Sequence, residues 1–116
     1  MQILIKDIIS KSFAVSTEDG DKIFSILNEN FINKEKVALD FKGITLMTTA
    51  FLNAAIGQLY SNNKYSSIFL NESLILQNVE DQDKHLFKLV VNRAKEYFAN
   101  KKEFEKNSDD TIYGGN

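Results

Sequence analysis

VALDFKGITLMTTAFLNAAIGQLY, residues 37–60, is the stretch that decides the fold. Val37, Leu39 and Phe41 alternate with Ala38 and Asp40, and the second row is nearly as apolar as the first. That pattern predicts a central strand covered on both faces. Gly43 then breaks the strand, because glycine accepts backbone angles that other residues resist. Thr48 and Thr49 close a short polar loop, and after them Phe51, Leu52, Ala55, Ile56 and Leu59 recur at helical spacing, with Ala54 as a small contact. A hydroxyl residue just ahead of such a run is the usual N-cap, since its oxygen accepts an orphan backbone N–H.

Outward toward the N-terminus, residues 33–36 form a polar connection. Before them Ile23, Phe24, Ile26, Leu27 and Phe31 make one apolar helical face. Ser16 or Thr17 caps that helix, and Glu18, Asp19 and Asp21 place negative charge at its positive end. Gly20 in the first turn costs about 1 kcal/mol relative to Ala, which points to a packing reason. Residues 2–9 read as a first strand, residues 10–12 as a turn, and Phe13-Ala14-Val15 as a short returning strand.

Toward the C-terminus, residues 61–64 are turn formers and YSSIFL, residues 65–70, reads as the next strand. Leu74-Ile75-Leu76 is either a covered loop or a short edge strand. Asp81 is the expected cap of a last helix carrying Leu86, Leu89, Val90, Ala94, Tyr97 and Phe98 as its stripe. That helix is expected to fray over residues 101–106. The order, strand pair–helix–strand–helix–strand–helix, argues for a mainly parallel α/β sheet of about four strands under about three helices. One domain over residues 1–106 and a disordered tail over 107–116 complete the expected organisation.

The 37–60 stretch resembles the STAS family, the sulfate-transporter and anti-sigma-antagonist domains, and within it a small bacterial STAS-like branch. The family pattern is a strand ending in Asp-hydrophobic-Ser-x-Val, then a few residues, then Asp-Ser-Ser-Gly and a helix. Here the strand end is Asp40-Phe41-Lys42-Gly43-Ile44 and the junction is Thr48-Thr49-Ala50-Phe51, at matching spacing. The serine phosphorylated in the family's anti-sigma antagonists falls on Thr49, the aspartate before it on Thr48, and the Ser-Gly after it on Ala50-Phe51. The branch often has Ser-Phe at that last pair. The resemblance implies an N-terminal strand pair and a non-catalytic domain that binds a protein, a kinase-like ATP-binding regulator in the anti-sigma case. It also implies a contact surface over residues 43–53, comprising Gly43, Thr45, Thr48, Thr49, Phe51 and Asn53 with Asp40 beneath, and phosphorylation at Thr49 or Thr48.

Composition narrows the classes independently. The 116 residues carry a net charge of −2 and a single arginine, Arg93, among fourteen basic residues, which disfavours nucleic acid. Cysteine is absent, so disulfides and thiolate metal sites are excluded. The apolar runs are too short to span a membrane, and MQILIKDII is interrupted by Lys6 and Asp7, unlike a signal peptide. A cytoplasmic protein with neither cofactor nor metal is the expectation.

Enzyme chemistry finds no constellation in the sequence. His85 is the only histidine and a metal site wants several ligands. Asp40 at a strand end could accept a phosphoryl group in a receiver-like site, but the acidic pair for Mg²⁺ is missing, leaving Asp40 as an acceptor for loop N–H groups. Thr48 and Thr49 have two compatible roles, helix capping and phosphorylation. A phosphate there adds about −1.5 to −2 charges where helix amides favour it. A constitutive assembly module using the same loop is the alternative to a switch.

Overall fold

The computed structural model describes residues 1–61 and 64–97. Its core is a parallel sheet of β1 (Gln2–Leu4), β3 (Val37–Asp40) and β5 (Leu74–Gln77), with β3 in the middle. Gln2 pairs with Ala38 and Leu4 with Asp40 on one side. On the other, Val37 pairs with Leu74 and Asp40 with Gln77. Val37 and Leu39 are fully buried on one face of β3, and on the other Ala38 is half-buried and Asp40 buried, as a central strand covered on both faces requires.

The expected four-stranded sheet with an N-terminal strand pair is therefore replaced by three strands plus a separate two-stranded ribbon. The first strand stops after Leu4, and the chain turns into the helix α1 (Ile5–Ile9), closed by Ser10 in the left-handed region at φ 60°. The reason is spacing: Ile5 and Ile9, four apart, both enter the core from a helix, while Ile8 faces out. That helix redirects the chain, so β2 (Phe13–Ala14) cannot fold back on β1. It pairs in parallel with β4 (Leu46–Met47) instead, Phe13 against Leu46 and Ala14 against Met47.

The helix α2 (Thr17–Ile32) starts where its cap predicts, with the Asp19 N–H donating to Ser16 Oγ at 3.1 Å. Ile23, Leu27 and Phe31 are its buried stripe. Gly20 has the packing reason its position suggested: a Cβ there would lie 2.5 Å from the Phe51 carbonyl oxygen and 2.6 Å from the Ala54 methyl. Only a hydrogen fits between α2 and the next helix. That helix, α3, runs continuously through Thr49–Leu52, a π-helical turn at Asn53–Gly57, and Gln58–Ser61. Phe51, Leu52, Ala55, Ile56 and Leu59 are buried along it, the stripe read from the sequence.

YSSIFL is not a strand. Ser66 caps α4 (Ser67–Ser73) by accepting the Phe69 N–H at 3.1 Å, and Leu70 and Ser73, three apart, face inward. Tyr65 stacks on Phe69 at 5.6 Å and both meet Phe31 edge-on, so the aromatic residues serve a cluster beside α2. The strand lies one step later, at Leu74–Gln77. Among the described residues five helices, where about three were expected, accompany the sheets. The last, α5, spans residues 84–97 behind a 3-10 turn at Asp81–Asp83. Asp81 is not its cap: it sits inside that turn and pairs on the surface with Lys84 Nζ at 2.7 Å. The buried face of α5 is Phe87, Val90 and Ala94, with Leu89 and Tyr97 exposed. Phe87 meets Phe41 edge-on at 5.2 Å, and Val90 packs over Gly57. Phe98, the frayed segment 101–106, the domain end at 106 and the tail 107–116 lie outside the described residues.

Candidate functional site

The chain leaves β3 through Asp40, Phe41 and Lys42, turns at Gly43, and crosses the ribbon before entering α3. Asp40 is only 8% exposed and its carboxylate is occupied. Oδ1 accepts from the Asn78 side-chain amide at 2.8 Å and from the Lys42 backbone N–H at 2.9 Å. Oδ2 takes a longer contact of 3.5 Å from Gln2 Nε2, which also donates to Gln77 Oε1 at 2.9 Å. The Asn78 amide first, then the Lys42 N–H, hold this carboxyl below its ordinary value of 3.8. Asp40 is thus the acceptor for a loop N–H and links its own strand to Asn78 just after β5 and, more distantly, to Gln2 at the start of β1. Asp7, the only candidate for a companion carboxylate at the end of the first strand, is exposed on α1. Among the described residues no group of three or more His, Cys, Asp or Glu could hold a metal ion.

Gly43 adopts φ +84°, the left-handed region that favours glycine, and the Lys6 side chain lies over its Cα face. The loop then docks on the α1–β2 turn: the Thr45 N–H donates to the Ser12 carbonyl at 2.8 Å. Thr48 closes the crossing. Its N–H donates to the Ala14 carbonyl at 3.1 Å, its hydroxyl donates to the Val15 carbonyl at 2.9 Å, and the same hydroxyl accepts the Phe51 N–H at 3.3 Å. Thr48 therefore caps α3 and ties it to the ribbon. Thr49, one residue on, is half-buried, and its hydroxyl makes no hydrogen bond among the described residues. Gly43, Thr45, Ala50 and Asn53 are exposed around this turn.

Phe51 is a correction. It is fully buried, so it anchors α3 from within and is not available as a contact residue. Asp40 likewise supports the loop from beneath. Two residues that sequence reasoning missed lie in the ribbon instead. Phe13 and Leu46, register partners on β2 and β4, are 52% and 54% exposed, while Ala14 and Met47 behind them are buried. The alternation of Leu46 with Met47 was available as a signal, but two residues are too few to read as a strand. In the first turn of α2, Asp19 is buried and paired with Lys11 Nζ at 2.8 Å and Lys22 Nζ at 3.5 Å. The Lys11 ammonium is the main reason its carboxyl is held below 3.8, against the opposing effect of burial.

A parallel α/β sheet whose central strand feeds a capped helix through an exposed, hydroxyl-bearing loop fits the STAS-like class of domain that the resemblance implies. The family comparison agrees: the model of the STAS-like domain of unknown function (DUF4325) matches residues 19–84, more than half of the chain, and the protein belongs to that family. The match begins inside α2 and ends at the start of α5, so it includes β3, the loop, α3 and β5. Neither the curated proteins nor the solved structures contain a match. Among the described residues no helix is long and apolar enough to cross a membrane.

Proposed function

We propose that this chain is a non-catalytic, regulatory protein-binding domain whose contact surface is the ribbon and loop around the start of α3. The observation that carries the reading is the side-by-side exposure of Phe13 and Leu46 on strands whose other residues are buried. Two large apolar side chains held in register on a hydrogen-bonded ribbon offer a partner pre-ordered area at little entropic cost. Thr45, next to Leu46 in the chain, and Thr49 and Asn53 in the first turns of α3 supply the polar groups of this reading's rim. The partner of the STAS-like reading is a kinase-like ATP-binding regulator.

Thr49 is the switch residue of this reading and Thr48 is not. Thr48 spends its hydroxyl on the cap and on Val15, whereas the Thr49 hydroxyl has no such duty. A phosphate on Thr49 would sit at the first turn of a continuous helix, where free N–H groups and the dipole favour it. It would place about two negative charges beside Phe13 and Leu46 and repel a partner matched to the unmodified surface.

The test is capture from native lysate with and without Mg-ATP, reading the bait's mass in the same run. Wild type, Thr49→Ala, Thr49→Glu and a Phe13→Ser/Leu46→Ser double variant are compared. The proposal expects one partner held by wild type and Thr49→Ala, released by ATP from wild type only, and lost from the other two. A partner retained by the ribbon double variant removes the surface from consideration. Retention by Thr49→Glu, with an unmodified bait, assigns the same surface to constitutive assembly.

A further inference from the structure

The connections that enter the parallel sheet carry an apolar area of their own, at the opposite end from the loop that leaves β3. There the close of α2 and the start of α4 border a groove of about 400 Å³. Phe31 is its buried floor, Tyr65 and Phe69 are its half-buried walls, and Ile32 stands 53% exposed on its edge. The Tyr65 hydroxyl donates to Asn28 Oδ1 at 2.7 Å, which fixes that ring in the wall.

The rim is basic. Lys34 and Lys64 line the groove, and among the described residues no acidic side chain does. Lys34 sits just past α2 at φ 59°, with its N–H donating to the Phe31 carbonyl at 3.0 Å. Glycine or asparagine usually fills that place after a helix, because a Cβ crowds the next carbonyl in the left-handed region. A lysine is held there against that strain.

An aromatic floor under a basic rim fits an acidic segment that also carries apolar side chains. Residues 101–106, KKEFEK, have a positive net charge and do not match. Beyond Lys106 the only charges are Asp109 and Asp110, followed at once by Thr111, Ile112 and Tyr113. The distance is short. Lys95, in the last described turn of α5, has its Nζ 5.5 Å from the centre of the Tyr60 ring, and the Tyr60 hydroxyl donates to Asn71 on α4. The exit of α5 therefore lies beside α4 and close in the chain to Lys64. Residues 98–108, fully extended, reach roughly 35 Å, whereas α4 is only about 10 Å long. A segment tethered so near acts at an effective concentration on the order of millimolar, so a weak contact suffices.

We propose that residues 109–113 of this chain dock on the groove, with Ile112 and Tyr113 against Tyr65 and Phe69 and the two aspartates at Lys34 and Lys64. The segment has no folding pattern of its own, and the groove supplies the partner it lacks. This contact is separate from the surface around the start of α3, and its test reads neither Thr49 nor a captured partner.

The test is nuclear magnetic resonance on the isotope-labelled full chain. Wild type is expected to show proton contacts from Ile112 or Tyr113 to the Tyr65 or Phe69 ring, unchanged on dilution and weakened by salt. Asp109→Lys/Asp110→Lys should abolish them, and adding Lys34→Glu/Lys64→Glu to that variant should restore them. Cysteine pairs give a second readout, since the chain has no cysteine of its own. Ile32 and Leu46 are matched in exposure, at 53% and 54%. Mild oxidation should close an intramolecular disulfide faster in Ile32→Cys/Ile112→Cys than in Leu46→Cys/Ile112→Cys, although the control has the shorter loop to close. Absence of the contacts in wild type, their survival in Asp109→Lys/Asp110→Lys, or equal rates for the two cysteine pairs overturns the proposal. So does loss of the contacts on dilution, which assigns the groove to the tail of a second copy.

Discussion

The C-terminal end of β3 and the first turn of α3 are nine residues apart in sequence and differ in what they leave unused. At the strand end, Asp40 is nearly buried, and its carboxylate accepts from Asn78, from the Lys42 backbone and, more distantly, from Gln2. At the helix start, Thr48 is equally committed, but the Thr49 hydroxyl is not, and Phe13 and Leu46 on the ribbon that leads into the helix are exposed. Polar groups that satisfy one another hold a fold in place. A new partner can bind only where polar groups and apolar area are left over. A strand-end aspartate and a helix-start threonine look equally functional in sequence, and their hydrogen bonds separate them.

The comparison breaks first if the helix start is not rigid. Phe51→Ala empties a fully buried site under that turn, and a loss of about 3–5 kcal/mol is expected, read from the urea midpoint. A loss below about 1 kcal/mol would mean that α3 is not anchored from within. Gly20→Ala comes next. Its new methyl would lie 2.5 Å from the Phe51 carbonyl oxygen, a backbone atom that cannot swing away. Overpacking of this kind costs about 1–3 kcal/mol, outweighing the roughly 1 kcal/mol that Ala gains over Gly in a helix. A stabilised variant would show that the two helices can separate freely.

Thr48→Ala should cost about 0.5–2 kcal/mol in the same assay, because it removes the cap and orphans the Val15 carbonyl. Thr49→Ala should stay within about 0.5 kcal/mol of wild type. Equal losses would erase the distinction between the two hydroxyls.

The smallest effect is one that disappears in acid. The Asp40 carboxyl is held below 3.8 in the folded chain, so its stabilising contribution is present above the unfolded value and is lost as pH falls through the folded one. Asp19 is lowered by Lys11 and acts in the same direction. Asp40→Asn should therefore be less stable than wild type above pH 4, with the gap closing as pH falls below it. Parallel curves in urea titrations from about pH 2 to about pH 6 would show that the Asn78 and Lys42 contacts do not favour the charged form.

How much of this was legible varies by element. α2 was read with its cap, its stripe and its glycine, since each signal is local. The start of α3 was legible for the same reason, with Thr48 and Thr49 both open as the residue whose oxygen takes a helix N–H; the structure gives that role to Thr48. Residues 65–70 misled because aromatic and β-branched side chains favour strands on average. Ser66 offered a helix cap, but its weight became visible only once Tyr65 and Phe69 were found stacked beside Phe31. The ribbon was the least legible part. Phe13 and Leu46 are thirty-three positions apart, and neither segment is long enough to show a period.

The sequence alone determined the parts that depend on neighbours a few residues away: helix caps and stripes, the central strand and the turn at Gly43. Tertiary structure decided what depends on partners far along the chain. It turned Asp40 into an acceptor for Asn78 and Gln2, buried Phe51, paired β2 with β4, and left Phe13 and Leu46 exposed and the Thr49 hydroxyl uncommitted. The division follows from the range of the interactions. Backbone propensities and capping act within one or two turns, whereas burial and strand pairing are settled only when distant segments meet.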